Sequence, residues 1–187
     1  MLYVNNQYKG PELTPDDNAT YDLMLASMKQ ADLFPIRDFA YRKVLNSAPN
    51  DHWRIMMHDN VIRQREKYPE LKHIYDKKLA DYASLEETSK SEDAMAKVEA
   101  DCEAIMDKLD AALGNHKWIV ADTFCLADIA WLPIFLRLEM IGVTIHSDGR
   151  RPNISRFIDQ WKQRPVFKTA IEDHYEDMAP QMAKLKK

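Results

Sequence analysis

An all-α fold is what this sequence predicts, and three observations predict it. Only four of the 187 residues are glycine, while hydrophobic residues make up 45% and charged residues 30%. That balance suits amphipathic helices packed on one another better than a disordered or turn-rich chain. Val98, Cys102, Ile105, Met106, Leu109, Ala112 and Leu113 recur at helical spacing, so one stripe of a helix faces a core. No segment alternates apolar and polar residues as a half-buried strand does, and no internal repeat or low-complexity tract is present. We expect one helical domain over residues 14–177, a bundle of about five to seven helices. A leader or linker remnant at 1–13 precedes it and a tail at 178–187 follows.

Residues 1–13 carry a short Leu2-Tyr3-Val4 patch but no sustained period. At Thr14-Pro15-Asp16-Asp17 a capping hydroxyl, a proline suited to the first helical position and acids suited to the positive end of the dipole coincide. A long helix is predicted to begin there. Along it Tyr21, Met24, Met28, Ala31, Pro35, Phe39 and Arg42 share one line, and Leu23, Phe34, Tyr41 and Leu45 an adjacent one. The second line is expected to hold the helix in the bundle, leaving the first for a ligand or partner. Pro35 predicts a kink near residues 31–35, and Ser47-Ala-Pro-Asn50 predicts the end.

From Asp51 to Ala83 the pattern is weak and charged, with Pro69 dividing two candidate helices, and Ser84 to Glu92 reads as a polar break. The stripe through Leu113 stops at Gly114. Leu126 to Gly142 is apolar on every side and reads as a buried central helix, Asn153 to Gln163 as an amphipathic one, and Pro165 opens a last helix running to about Asp177.

Composition removes several function classes. A net charge of -4 and a pI near 5.9 leave no basic surplus for a phosphate backbone, which argues against nucleic acid. The longest apolar run carries Asp128, Arg137 and Glu139 and is too short for a bilayer, so no membrane span is expected. Cys102 and Cys125 lack metal-type spacing and no signal peptide precedes them, so a reducing cytoplasm is the expected compartment.

The stretch Trp118-Ile-Val-Ala-Asp-Thr-Phe-Cys-Leu-Ala-Asp128, continuing through Gly142, closely resembles the core-helix segment of the glutathione S-transferase superfamily. In that family a serine or threonine caps this helix and an aspartate three residues on returns the bond. Here Asp128 keeps the acidic half while Cys125 occupies the cap, and a thiol is a weak acceptor. Ala121 stands where the family usually has glycine. Arg151 to Ile171, with its Arg164-Pro165 junction, resembles the family's last two domain helices, and Leu13 to Arg42 is similar to the first helix of this domain in bacterial glutathione-dependent reductive dehalogenases and aryl-ether-cleaving enzymes.

The resemblance implies the C-terminal helical domain of that superfamily without its thioredoxin-like domain, which in complete members binds glutathione and activates its thiol. Residues 1–10 have room for no more than the end of that domain and a linker. It follows as an expectation that the isolated chain has no catalytic residue or cofactor of its own, with glutathione entering only if a thioredoxin-fold partner supplies the site. A homo-oligomer or such a partner is expected, with an apolar small molecule as ligand; the rival expectation is a non-catalytic docking module.

The candidate substrate-binding residues are Tyr21, Met24, Met28, Phe39 and Arg42, and the candidate capping pair is Cys125 and Asp128. Arg42 has a plainer reading as a cation snorkelling near a helix C-terminus, and it is the favoured one. Glu70-Leu-Lys-His73 matches one Glu-x-x-His ligand pair of di-iron bundles but lacks the second such pair, so no metal is expected. His52, His58, His116, His146 and His174 share no helix face and read as solvated. Cys102 reads as core, and Cys125 as a buried cap in preference to a dipole-activated nucleophile.

Overall fold

The computed structural model describes residues 1–7, 10–46 and 51–174, and every regular element within them is helical. In chain order these are α1 (Leu2–Gln7), α2 (Asn18–Asp32), α3 (Ile36–Asn46), α4 (Asp51–Lys67), α5 (Lys72–Lys90), α6 (Glu92–Asn115), α7 (Leu126–Ile141), α8 (Pro152–Lys162) and the single turn α9 (Pro165–Phe167). A 3₁₀ turn, Pro69–Leu71, precedes α5, and a π-helical turn, Lys168–Glu172, follows α9. The first eight exceed the expected five to seven, because the leader folds as α1 and Pro35 splits the first long helix. The helices gather into two compact units, one formed by Met1–Phe34 and the chain from Cys102 onward, the other by Pro35–Asp101. The Ser47–Asn50 terminator, the end of the last predicted helix beyond residue 174 and the 178–187 tail lie outside the described residues.

The first unit is organised around α7. Leu126, Ala127, Trp131, Leu132, Phe135, Leu136 and Leu138 are all buried, as an apolar helix sealed by its neighbours requires. α2 packs on it, with Met24, Ala31 and Phe34 buried and the Trp131 indole N–H donating to Ser27 Oγ at 3.0 Å. Aromatic rings then run through the core. Phe34 meets Trp131 edge-on at 5.8 Å, Trp131 stacks on Phe135 at 5.9 Å, and Phe135 meets Phe157 of α8 edge-on at 5.9 Å. Offset and edge-on contacts of this kind add to the area each ring buries.

α8 buries Ile154, Phe157, Ile158 and Trp161, one stripe at helical spacing. Its own N-cap residue, Arg151, offers no side-chain acceptor. Asp110 of α6 does so from 43 residues away: Oδ1 accepts from the backbone N–H of Asn153 at 2.8 Å and of Ile154 at 3.0 Å. Asp110→Ala is therefore expected to lower stability by about 1–2 kcal/mol, the usual loss of a helix cap. An unchanged urea midpoint for this variant would show that α8 needs no borrowed cap.

In the second unit α5 packs against both α3 and α4, and Phe39, Tyr41, Val61, Tyr82 and Met95 are buried. Pro69 separates α4 from α5 as its missing N–H predicts. The break expected over Ser84–Glu92 is confined to Ser91, whose Oγ accepts the Ala94 N–H at 3.2 Å, while α5 runs on to Lys90. Serine caps a helix only where the preceding one has ended, and Ser84 and Ser89 lie inside α5.

The first long helix is corrected at both ends. Its cap is Asp17, whose Oδ1 accepts the Thr20 N–H at 2.8 Å, and not Thr14, whose hydroxyl turns to Glu12. At Leu33-Phe34-Pro35 the helix stops outright, because the residue before a proline is pushed out of the α region and proline has no N–H to carry the ladder on.

Candidate functional site

The opening of α7 is where the most specific sequence motif meets the core. Asp128 is completely buried, and its two carboxylate oxygens are divided between two donors. Oδ2 accepts the Cys125 N–H at 2.8 Å, closing the acidic half of the capping box, and Oδ1 accepts the Ile119 N–H at 2.9 Å. The second bond ties the preceding loop to the helix. In the thiol half, the Asp128 N–H donates to the Cys125 carbonyl at 3.1 Å. The leader carbonyl of Leu13 takes the Leu126 N–H at 3.0 Å, so a further orphan donor of this helix end is satisfied by a segment read only as a linker.

Burial sets the chemistry of both capping residues. It pushes the Cys125 thiol up to about 11, with the Asp128 charge adding to the effect, so the thiolate needed of a nucleophile is suppressed at neutral pH. Burial also raises the Asp128 carboxyl to about 6, against the pull of the Ile119 and Cys125 N–H groups.

On α2 neither predicted stripe holds as drawn, although Phe34 of the packing stripe is buried as expected. Met24 is fully buried, whereas Leu23, assigned to the packing stripe, is 57% exposed. The face toward α7 is Met24, Ser27, Ala31 and Phe34, and Met24 is a core residue. Tyr21 and Met28 are half-buried, rotated by roughly 40–60° from Met24 on one flank of the helix. They remain available to a ligand or partner. A stripe drawn through residues 21–42 presumes one continuous helix, and the break before Pro35 removes that premise.

In the second unit Phe39 is buried in α3, and the Leu45 side chain lies outside the described residues. Arg42 is half-buried and its Nη2 donates to Glu92 at 2.6 Å, while Nη1 is buried and has no hydrogen-bond partner among the described residues. Glu92 is 84% exposed, so the pair is weak. Glu70 and His73 are both exposed, and among the described residues no cluster of three or more His, Cys, Asp or Glu side chains is arranged to hold a metal ion.

Two constellations escape the sequence reading. Glu103 and Asp107 of α6 flank the apolar stripe one turn apart and receive the guanidinium of Arg151, which is 1% exposed. Arg151 Nε donates to Asp107 at 2.9 Å and its Nη1 to the Ile145 carbonyl. Arg150 adds a 2.6 Å bond to Glu103, and these arginines hold the Glu103 carboxyl below the usual range. Acids at 103, 107 and 110 beside an apolar stripe were the available signal. The other is His146, read as solvated and found with no exposed surface, stacked on Phe135 at 5.7 Å. A loop residue carries no periodicity, so nothing local announces its burial.

The fold and its best-defined motif together describe an all-helical domain built on one buried, aromatic-rich helix, opened by a carboxylate locked into its first turn. Residues 50–165 match the family model described as the glutathione S-transferase C-terminal domain, and the chain belongs to that family. It is 30% identical over 120 residues to the tetrachloro-p-hydroquinone reductive dehalogenase of Sphingobium chlorophenolicum, covering 64% of this chain and 48% of that protein. It is 34% identical over 71 residues to the glutathione S-transferase GstB of Escherichia coli K12, covering 38% of this chain and 33% of GstB. With the glutathione S-transferase TCHQD of Arabidopsis thaliana it shares 21% identity over 115 residues, 62% of this chain and 43% of that protein. The chain thus spans at most about half the length of these relatives. No helix among the described residues is long and apolar enough to cross a membrane.

Proposed function

We propose that this chain is the helical, apolar-ligand-binding half of a glutathione S-transferase-like assembly, and that any glutathione-dependent transfer draws its tripeptide site from a thioredoxin-fold partner. The observation that carries the reading is the family match over residues 50–165 on a chain whose described residues contain no strand. A thioredoxin-like fold is built on a sheet, so the described residues supply none of it. The half-buried flank of Tyr21 and Met28 offers an aromatic face and a polarizable thioether, which suit a planar apolar ring. Halogenated aromatic compounds are the substrate class to try first, since one relative is named for a tetrachlorinated hydroquinone. Arg42, on its own unit, is suited to an anionic group.

Calorimetry with glutathione and the pure chain tests the partner requirement: no saturable binding is expected at micromolar concentrations, and saturable binding would overturn it. For the ligand face, Met28→Glu is expected to weaken uptake of a fluorescent aromatic probe about tenfold with the helical circular dichroism intact, because the charge is desolvated only in the complex. Unfolding of this variant would make Met28 core and remove it from the site.

A docking module is favoured by a different observation, the outward Leu23 of α2 and Leu33 just beyond its end, 57% and 72% exposed. If that face is an interface between copies, Leu33→Glu lowers the sedimentation mass at equal helicity while probe uptake is unchanged. If only Met28→Glu has an effect, the ligand reading holds and the docking reading falls.

A further inference from the structure

The α7–α8 loop turns one fully buried side chain, His146, back onto α7. Gly142 ends α7 in the left-handed conformation at φ 74°, and the Val143 N–H returns to the Leu138 carbonyl at 2.9 Å, so the chain reverses sharply over the last turn. A turn closed by Ser147 N–H to the Thr144 carbonyl at 2.9 Å then tucks His146 back against α7. Its imidazole lies on Phe135 with no solvent exposure, and among the described residues neither Nδ1 nor Nε2 has a hydrogen-bond partner. The nearest carboxylate oxygen, Glu139 Oε1, stands 3.7 Å from Nε2, beyond hydrogen-bonding distance.

We propose that His146 is an acid-operated latch: its neutral ring seals the 143–150 loop onto α7, and protonation releases that loop. A neutral imidazole against Phe135 is tolerated as a largely apolar plate, whereas an imidazolium there is a buried charge whose nearest acceptor, the half-exposed Glu139 carboxylate, stands 3.7 Å away. The charged groups facing it are Glu139 from α7, Asp148 from its own loop and Arg151 at the start of α8, whose guanidinium is already engaged by Glu103 and Asp107 of α6. Glu139 and Asp148 favour the imidazolium and Arg151 opposes it, while burial outweighs them and lowers the affinity of the ring for a proton. Because the folded pKa is lowered, the contribution of His146 is complete above its unfolded value near 6.5 and is lost as pH falls.

Opening would have a defined consequence for the rest of the unit. The Ile145 carbonyl, one residue before His146, accepts from Arg151, so lifting the loop takes one acceptor from the guanidinium that joins α6 to the start of α8. The latch thus couples local pH to the junction of α6 and α8.

Hydrogen exchange on the full chain, corrected for intrinsic rates, tests this at the Val143 and Ser147 amides between about pH 7.5 and pH 5. In the wild type their protection is expected to fall at least tenfold at the acid end while amides in the middle of α7 stay protected. In His146→Phe, which keeps a ring on Phe135 and cannot titrate, protection is expected to hold. Equal loss in both proteins would overturn the proposal, as would a protonated His146 observed by NMR with both amides still protected. Glu139→Gln gives an independent reading if the phenylalanine variant folds poorly. Without the carboxylate the buried imidazolium is less tolerable, so the acid loss should exceed that of the wild type, and an equal or smaller loss would sink the latch.

Discussion

Replacing Asp128 with alanine is expected to cost this protein about 2–4 kcal/mol of stability at about pH 4.5, more than the loss of an ordinary cap. The carboxylate satisfies two backbone N–H groups inside the core, those of Cys125 and Ile119, and alanine orphans both. One belongs to the helix and the other to the loop nine residues earlier, so the substitution frays α7 and detaches the loop that carries Trp118. The size of the effect should depend on pH with a definite sign. Burial raises the folded-state carboxyl to about 6, above its unfolded value. Its contribution is therefore fully present below about pH 4 and is lost as pH rises through 6, by up to roughly 3 kcal/mol. Urea melts of wild type and Asp128→Ala at pH 4.5 and pH 7 should show the larger gap at the lower pH. A gap that widens toward neutrality would mean that the two N–H bonds outweigh burial and hold Asp128 ionised. Cys125→Ser, which supplies a better acceptor to the same turn, should shift the midpoint the other way.

Arg151→Ala should be of comparable size, about 2–4 kcal/mol, and should respond to salt very little. The side chain is 1% exposed and fills the junction of α6, the 143–150 loop and the start of α8. Its loss leaves the Ile145 carbonyl without this donor and opens a cavity the size of a long side chain, while Glu103 and Asp107 reach water and recover part of their solvation. Arg151→Lys tests whether charge alone suffices. A lysine ammonium is a point donor and cannot serve Glu103, Asp107 and a carbonyl at once, so it should restore less than half of the stability. Full rescue by lysine would show that the planar fork is not needed, and a midpoint shift below about 0.5 kcal/mol for alanine would place Arg151 among exposed, weakly coupled pairs.

How far the candidate site was legible depends on whether its signal is periodic. The buried helix 126–141, the α6 stripe through Met106 and Leu113 and the amphipathic α8 could be read directly, because burial on one face leaves a 3.6-residue repeat. Asp128 was legible as a cap from its spacing to Cys125, but its bond to Ile119 was not, since nothing in spacing reports a contact across a loop. On α2 the apolar residues were identified and the inward direction was not. Leu23 and Met24 are neighbours of similar apolar character, and only the placement of α7 decides which of them is sealed.

Sequence alone determined that the chain is helical, that residues 118–171 resemble a glutathione S-transferase helical domain, and that α7 is its buried element, because those properties reside in local composition, period and capping residues. Tertiary structure alone decided that Asp110 caps a helix 43 residues away, that Arg151 is buried among two acids and a carbonyl, and that His146 leaves water altogether. Each of these is a polar group whose environment is supplied by distant chain, and a polar residue looks the same in sequence whether water or a folded neighbour solvates it.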